Sequence, residues 1–138
     1  MDDLLKKLCY KGQERIAVVE PPSTIKKKLE NRLAGVQIDP FIDPRYLYDF
    51  ILVFLHTSED IDIIGPKAIH NLSPDGKLWI AYRKVASKKY PGQITKEKGW
   101  EHFEEAGLKL VSQAGIDKDW SAFRFRNKKF VKSSSKED

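Results

Sequence analysis

The chain has 138 residues, 41% of them hydrophobic and 33% charged, with a net charge of +5 and one cysteine. That length suffices for one domain with its own core, the composition excludes a disordered chain, and the lone cysteine excludes an internal disulfide or a multi-cysteine zinc site. The most apolar run, residues 50–55, is too short to span a bilayer and Met1-Asp2-Asp3 is the opposite of a basic secretory start, so a cytoplasmic location without membrane association is expected.

Residues 1–8 read as a short lead-in helix and Tyr10-Lys11-Gly12-Gln13 as a turn. Arg15-Ile16-Ala17-Val18-Val19 is a compact β-branched run, the pattern of a buried strand, and Glu20-Pro21-Pro22 stops it. Ser23 is the predicted N-cap of a helix over 24–33, whose Ile25, Leu29 and Leu33 recur on one face, and Gly35 suits its C-terminal end. Residues 36–39 predict a short second strand, and Pro40 and Pro44 a loop. Residues 50–55 are apolar on both faces, as in a central parallel strand. Ser58 predicts the cap of a helix to about residue 72, broken or kinked at Gly65-Pro66. Ser73-Pro74-Asp75-Gly76 has turn chemistry, and Leu78-Trp79-Ile80-Ala81-Tyr82 predicts another buried strand. A basic loop from Arg83, a helix over 96–106 ended by Gly107, and two strands over 108–116 and 120–126 complete the series. The short Asp117-Lys118-Asp119 link predicts that the last two strands pair antiparallel.

This alternation predicts a three-layer α/β sandwich over residues 1–126, with a mostly parallel sheet and an antiparallel finish, followed by a frayed basic tail over 127–138. In such sheets ligands lie beyond the carboxyl ends of the strands.

Asp49-Phe50-Ile51-Leu52-Val53-Phe54, then a helix, then Leu72-Ser73-Pro74-Asp75-Gly76-Lys77-Leu78-Trp79-Ile80 resemble the second half of a class I S-adenosylmethionine-dependent methyltransferase. That family has a central strand of this kind, a Leu-x-Pro-Gly-Gly turn before the next strand and a closing antiparallel pair. The resemblance covers residues 15–126 and implies a Rossmann-like, methyltransferase-like fold. The opening Tyr10-Lys11-Gly12-Gln13, with Gly99-Trp100 and Asp119-Trp120-Ser121-Ala122-Phe123-Arg124-Phe125-Arg126, is also similar to a bacterial family of small proteins defined by a domain of unknown function. That second resemblance covers nearly the whole chain and implies no activity.

At the place of the methyltransferases' glycine-rich cofactor loop stands Glu20-Pro21-Pro22, with no glycine between Gly12 and Gly35. Both prolines lack the N–H that such a loop offers. Asp39 matches the family's acid at the end of the second strand, which holds the ribose hydroxyls, although Asp before Pro is also ordinary turn chemistry. The short segment before residue 50 implies that one strand-helix unit of the family is missing. The expectation is a methyltransferase-like fold with no cofactor and no catalytic residue.

His56 and Thr57 follow the strongest predicted strand, where a histidine serves as a base or phosphate contact, or simply meets solvent. His70 and His102 lie on predicted helices without metal-ligand spacing, so no metal site is expected. Ser23 and Thr24 open a helix, and helix starts both need caps and bind anions. The stretch over 83–98 carries Arg83, Lys84, Lys88, Lys89, Lys96 and Lys98 against Glu97 alone, with Tyr90 as a stacking surface; its plainer reading is a solvated loop. Trp79, Trp100 and Trp120 read as packing residues. The leading expectation is a non-catalytic binding module that holds an anionic ligand, a nucleic acid or a protein partner. It would do so through Arg83, Lys84, Lys88 and Lys89, with Ser23, Thr24, His56 and Thr57 nearby. The alternative is a small enzyme with a nucleotide-type cofactor, in which Glu20 and Asp39 face the ribose and His56 is the base.

Overall fold

The β-branched run Arg15–Val19 forms strand β1, buried from Ile16 onward. In the computed structural model, which describes residues 3–8, 10–57, 59–84 and 100–130, β1 is flanked by two parallel strands. These are β2 (Gln37–Asp39) and β3 (Tyr48–Phe54). β4 (Leu72–Arg83) continues the parallel set beside β3. β5 (Leu108–Gly115) and β6 (Trp120–Asn127) form the antiparallel finish, with β6 inserted between β4 and β5. The sheet order is β2-β1-β3-β4-β6-β5. Residues 40–47 lead from the edge strand β2 to β3 without an intervening strand or helix, as the short segment there implied.

Helices cover both faces. α1 (Asp3–Lys7) and α2 (Ser23–Arg32) pack on one, α3 (Glu59–His70) and α4 (Glu101–Glu105) on the other. The two-residue period of β3 divides its side chains between the layers. Phe50, Leu52 and Phe54 join Leu5, Ile25 and Leu29, whereas Ile51 and Val53 join Ile61, Ala68 and Phe103. The buried Trp79 indole N–H donates to the Leu8 carbonyl oxygen at 2.8 Å and ties the end of α1 to the sheet.

Several boundaries differ from expectation. Pro22, not Ser23, is the N-cap of α2: its extended φ of −60° and ψ of 151° start the helix, no side chain caps it, and the Lys26 N–H donates to the Pro22 carbonyl. Gly35, with φ +91°, lies just beyond the C-cap residue Leu33. α3 runs unbroken through Gly65-Pro66. There the missing side chain of Gly65 admits the Phe103 ring, which a β-carbon would meet at 3.3 Å. Burial of Ile61, Gly65 and Ala68 along one face offsets the lost proline N–H. α4 begins at Glu101; residues 96–99 of the expected helix lie outside those described, as does Ser58. β6 extends to Asn127 and a 3₁₀ turn, Lys128–Phe130, follows, with the Lys128 N–H on the Gly107 carbonyl at 2.9 Å.

Ser73-Pro74-Asp75-Gly76 is not a turn ahead of a strand but a bulge within β4. Tyr48 pairs with Leu72 and Phe50 with Lys77, so β4 spends five residues where β3 advances two. Arg126 of β6 clasps the bulge through Asp75 with two hydrogen bonds, 2.8 and 2.9 Å. A β-carbon on Gly76 would fall 2.8 Å from both the Tyr48 carbonyl oxygen and Leu72 Cδ1. Backbone cannot step aside as a side chain can, so Gly76→Ala is expected to destabilise the protein by about 1–3 kcal/mol. Urea denaturation measures this, and an unchanged midpoint would mean that the bulge shifts freely.

Candidate functional site

The chain leaves β1 for β2 on one side and then crosses to β3 on the other, so strand order reverses at β1. The crevice beyond the carboxyl ends at such a point is where this class of sheet binds ligands. Glu20 stands there. Its φ is +56°, the one positive value for a non-glycine among the described residues. The turn thus keeps the left-handed backbone that glycine adopts without penalty, although a carboxylate residue occupies it.

His56, one residue past the buried Leu55 at the end of β3, reaches across to this turn. Its Nε2 lies 3.0 Å from the Glu20 carbonyl oxygen. A carbonyl only accepts, so Nε2 carries the hydrogen of this contact. The backbone N–H groups of His56 and Thr57 donate to Asp60 Oδ2 at 2.8 and 3.1 Å, which fixes the start of α3. The His56 ring meets Trp120 edge-on at 5.5 Å. Trp120 also meets Phe54 at 5.2 Å, and the Arg83 guanidinium lies 4.7 Å from its ring centroid. The Lys84 N–H donates to the Asp119 carbonyl at 2.9 Å. Because β6 is antiparallel, its first residue arrives where β3 and β4 end, and the buried Trp120 becomes the post between His56 and Arg83. Trp120 was legible in the sequence only as a packing residue.

On the α2 side of Glu20 lies a groove of about 420 Å³. Val18, Leu29 and Ile38 give it apolar walls, Glu20, Lys26 and Glu30 its charged groups, and Pro21 and Pro40 complete the lining. Ser23 and Thr24 are exposed in the first turn of α2.

Asp39 faces the other layer. Its buried carboxylate accepts from Arg15 Nη1 at 3.0 and 2.8 Å, Gln37 Nε2 at 3.1 Å and the Tyr48 hydroxyl at 2.6 Å. Burial alone would raise its pKa, but the hydrogen bonds from Tyr48, Arg15 and Gln37 outweigh that and hold it below the usual value. Glu20 and Asp39 are therefore not brought together: one borders the groove, the other closes a polar network with Tyr48. Of the residues singled out in the sequence, Glu20, His56, Thr57, Arg83 and Lys84 share the carboxyl edge, while Lys88 and Lys89 lie outside the described residues. Trp79, Trp100 and Trp120 are all buried. His102 pairs with Asp62 at 3.0 Å and joins α4 to α3. Among the described residues no group of three or more His, Cys, Asp or Glu side chains is placed to hold a metal ion, and no helix is long and apolar enough to cross a membrane.

No protein-family model and no curated protein matches the chain. Solved structures do. An S-adenosylmethionine-dependent methyltransferase from Aquifex aeolicus superposes with a TM-score of 0.59 at 12% identity, covering 91% of this chain and 88% of that one. The N-methyltransferase NodS from Bradyrhizobium japonicum, in complex with S-adenosyl-L-homocysteine, gives 0.57 at 16% identity over 91% and 84%. Fibrillarin from Methanococcus jannaschii, a pre-rRNA processing protein, gives 0.52 at 17% over 84% and 67%. At such identities the likeness is one of architecture, and the architecture of this chain is the Rossmann-like α/β fold of the S-adenosylmethionine-dependent methyltransferases.

Proposed function

We propose that the chain is a small enzyme of methyltransferase-like fold that takes a nucleoside-type cofactor in the groove beside Glu20. The usual cofactor contacts of the fold do not fit these residues. Pro21 and Pro22 have no N–H to offer, and the acceptor positions of Asp39 are taken by Arg15, Gln37 and Tyr48. The reading rests on one observation, a groove of about 420 Å³ at the carboxyl end of β1, a size that suits a small ligand. Its apolar walls suit a base, and the carboxylates of Glu20 and Glu30 suit ribose hydroxyls. Two carboxylates against Lys26 make the lining net negative, which favours a neutral or cationic nucleoside over a polyphosphate. His56, whose Nε2 lies 3.0 Å from the Glu20 carbonyl oxygen, is the proton acceptor in this reading, through Nδ1.

A second reading keeps the non-catalytic module. It is favoured by Arg83 and Lys84 leaving β4 at this same edge, with the Arg83 guanidinium held over Trp120. Thermal melts against adenosine, S-adenosylmethionine, S-adenosylhomocysteine, ATP and a short RNA separate the two. A ligand present at about a hundred times its dissociation constant stabilises the fold by about 2.7 kcal/mol. The phosphate-free nucleosides are expected to raise the melting temperature and ATP not to, with Glu30→Lys abolishing the effect. A shift with ATP and RNA alone would favour the module, and no shift with any nucleoside would remove the groove reading.

A further inference from the structure

The two helical layers carry opposite charge. α1 and α2 hold six basic residues (Lys6, Lys7, Lys26, Lys27, Lys28 and Arg32) against Asp3 and Glu30. On the opposite face α3 and α4 hold six acids (Glu59, Asp60, Asp62, Glu101, Glu104 and Glu105) against Lys67. The sheet lies between them, so the described residues of the two helical layers are polarised across it. The local cause is the pattern of α2, where Ile25, Leu29 and Leu33 are buried four residues apart and everything between them, Lys26, Lys27 and Lys28 included, is exposed.

We propose that the outer face of α1 and α2 is a docking surface for the phosphate backbone of a nucleic acid. Charge complementarity carries this: closely spaced lysines on one rigid face match a polymer with a phosphate every few ångströms. The acidic layer repels the same polymer, so only one orientation of the protein is favoured. The exposed large apolar side chains among the described residues are Phe41, Leu47 and Ile63, none of them on α1 or α2. Among the described residues this surface therefore lacks a stacking platform for bases and the apolar anchors that insert into a lipid surface. Recognition is through phosphates and independent of base sequence. This proposal does not depend on the groove beside Glu20.

The test is fluorescence anisotropy with a labelled 20-base-pair duplex, as RNA and as DNA, titrated at rising salt. Binding of both at 50 mM salt is expected, with log K falling against log salt at a slope of roughly −3 to −5 for about four to five neutralised phosphates. The double variant Lys27→Glu/Lys28→Glu keeps good helix formers on an exposed face, so it folds, as its unchanged circular dichroism would show. It is expected to lose affinity by about tenfold or more and to flatten the slope by about 2. Lys88→Glu/Lys89→Glu is expected to bind like the parent. Four results would overturn the proposal: no binding at 50 mM salt, unchanged binding by the Lys27/Lys28 variant, loss in the Lys88/Lys89 variant instead, or equal affinity for phosphatidylserine vesicles. Salt-sensitive self-association without duplex binding would also overturn it, and would assign the basic face to the acidic face of a second copy.

Discussion

Replacing Asp39 with alanine is expected to destabilise the protein by about 3 kcal/mol, measured by chemical denaturation. The Asp39 side chain is 8% exposed and serves three donors, the shortest contact being that from the Tyr48 hydroxyl at 2.6 Å. Tyr48 is itself buried, and its oxygen accepts the Asp43 N–H at 3.1 Å, so truncation leaves that hydroxyl without its acceptor inside the fold. Arg15 would lose its partner too, but its side chain is 37% exposed and packs over the Tyr46 ring at 4.1 Å. Water can reach it, which sets the expected loss at the lower end for a broken buried pair. Asp39→Asn keeps an acceptor and is expected to lose about half as much. If Asp39 served a ligand instead, alanine would weaken ligand binding and leave the unfolding midpoint in place.

The same network sets the pH limits. Asp43 is held at about 2 by hydrogen bonds from the Arg45 side chain and backbone, and Asp39 is also held below the ordinary 3.8. Depressed folded-state values mean that this stability is present above about pH 4 and is lost as pH falls towards 2. At the other end, burial and the neighbouring Asp39 push Tyr48 up to about 12 from 10.0. The unfolded chain therefore ionises this tyrosine first, and stability declines above about pH 10. Asp39→Ala is expected to flatten both limbs of the stability–pH curve.

Residues buried on both faces were the legible ones. Ile16–Val19 and the β3 core are continuous apolar runs because both helical layers press on them, and the hairpin of β5 and β6 follows from a short link, residues 116–119. What escaped the sequence depends on partners far along the chain. Pro66 reads as a break until Phe103 is seen filling the space beside Gly65. Ser73–Gly76 reads as a turn until its register against β3 shows a bulge. At the site, Glu20-Pro21-Pro22 reads as a lost glycine loop, yet Glu20 retains the left-handed backbone, a dihedral that no residue name announces. Asp39 was found by its place at the end of a strand, but its direction follows from Arg15 and Tyr48, 24 residues earlier and 9 later. The lysines of α2 were in plain view as the outside of an amphipathic helix. Only the topology puts α1 beside them and the acids of α3 and α4 behind the sheet.

Trp120→Ala should be the most damaging change at the carboxyl edge, with a loss of about 3–5 kcal/mol and a melting temperature lower by roughly 10–20 °C. The indole is 3% exposed and is wedged between Phe54, His56 and Arg83. Its backbone also closes the β5–β6 hairpin: the Trp120 N–H donates to Asp117 Oδ1 at 2.8 Å, and its carbonyl accepts from Ile116 at 2.9 Å. Trp120→Phe keeps the ring contact with Phe54 but shortens the reach to His56 and Arg83, and is expected to lose about 1–2 kcal/mol. Phe123→Leu, a buried substitution on the other face of the same strand, should cost about as much and provides the comparison. If Trp120 positions the edge, Trp120→Phe will shift the His56 ring resonances and reduce the nucleoside-induced rise in melting temperature, whereas Phe123→Leu will do neither. Equal effects from the two variants would reduce Trp120 to a core residue. The His56 ring would then be oriented chiefly by the Glu20 carbonyl, and Glu20→Gly, by loosening that turn, should move the His56 resonances further than either aromatic substitution.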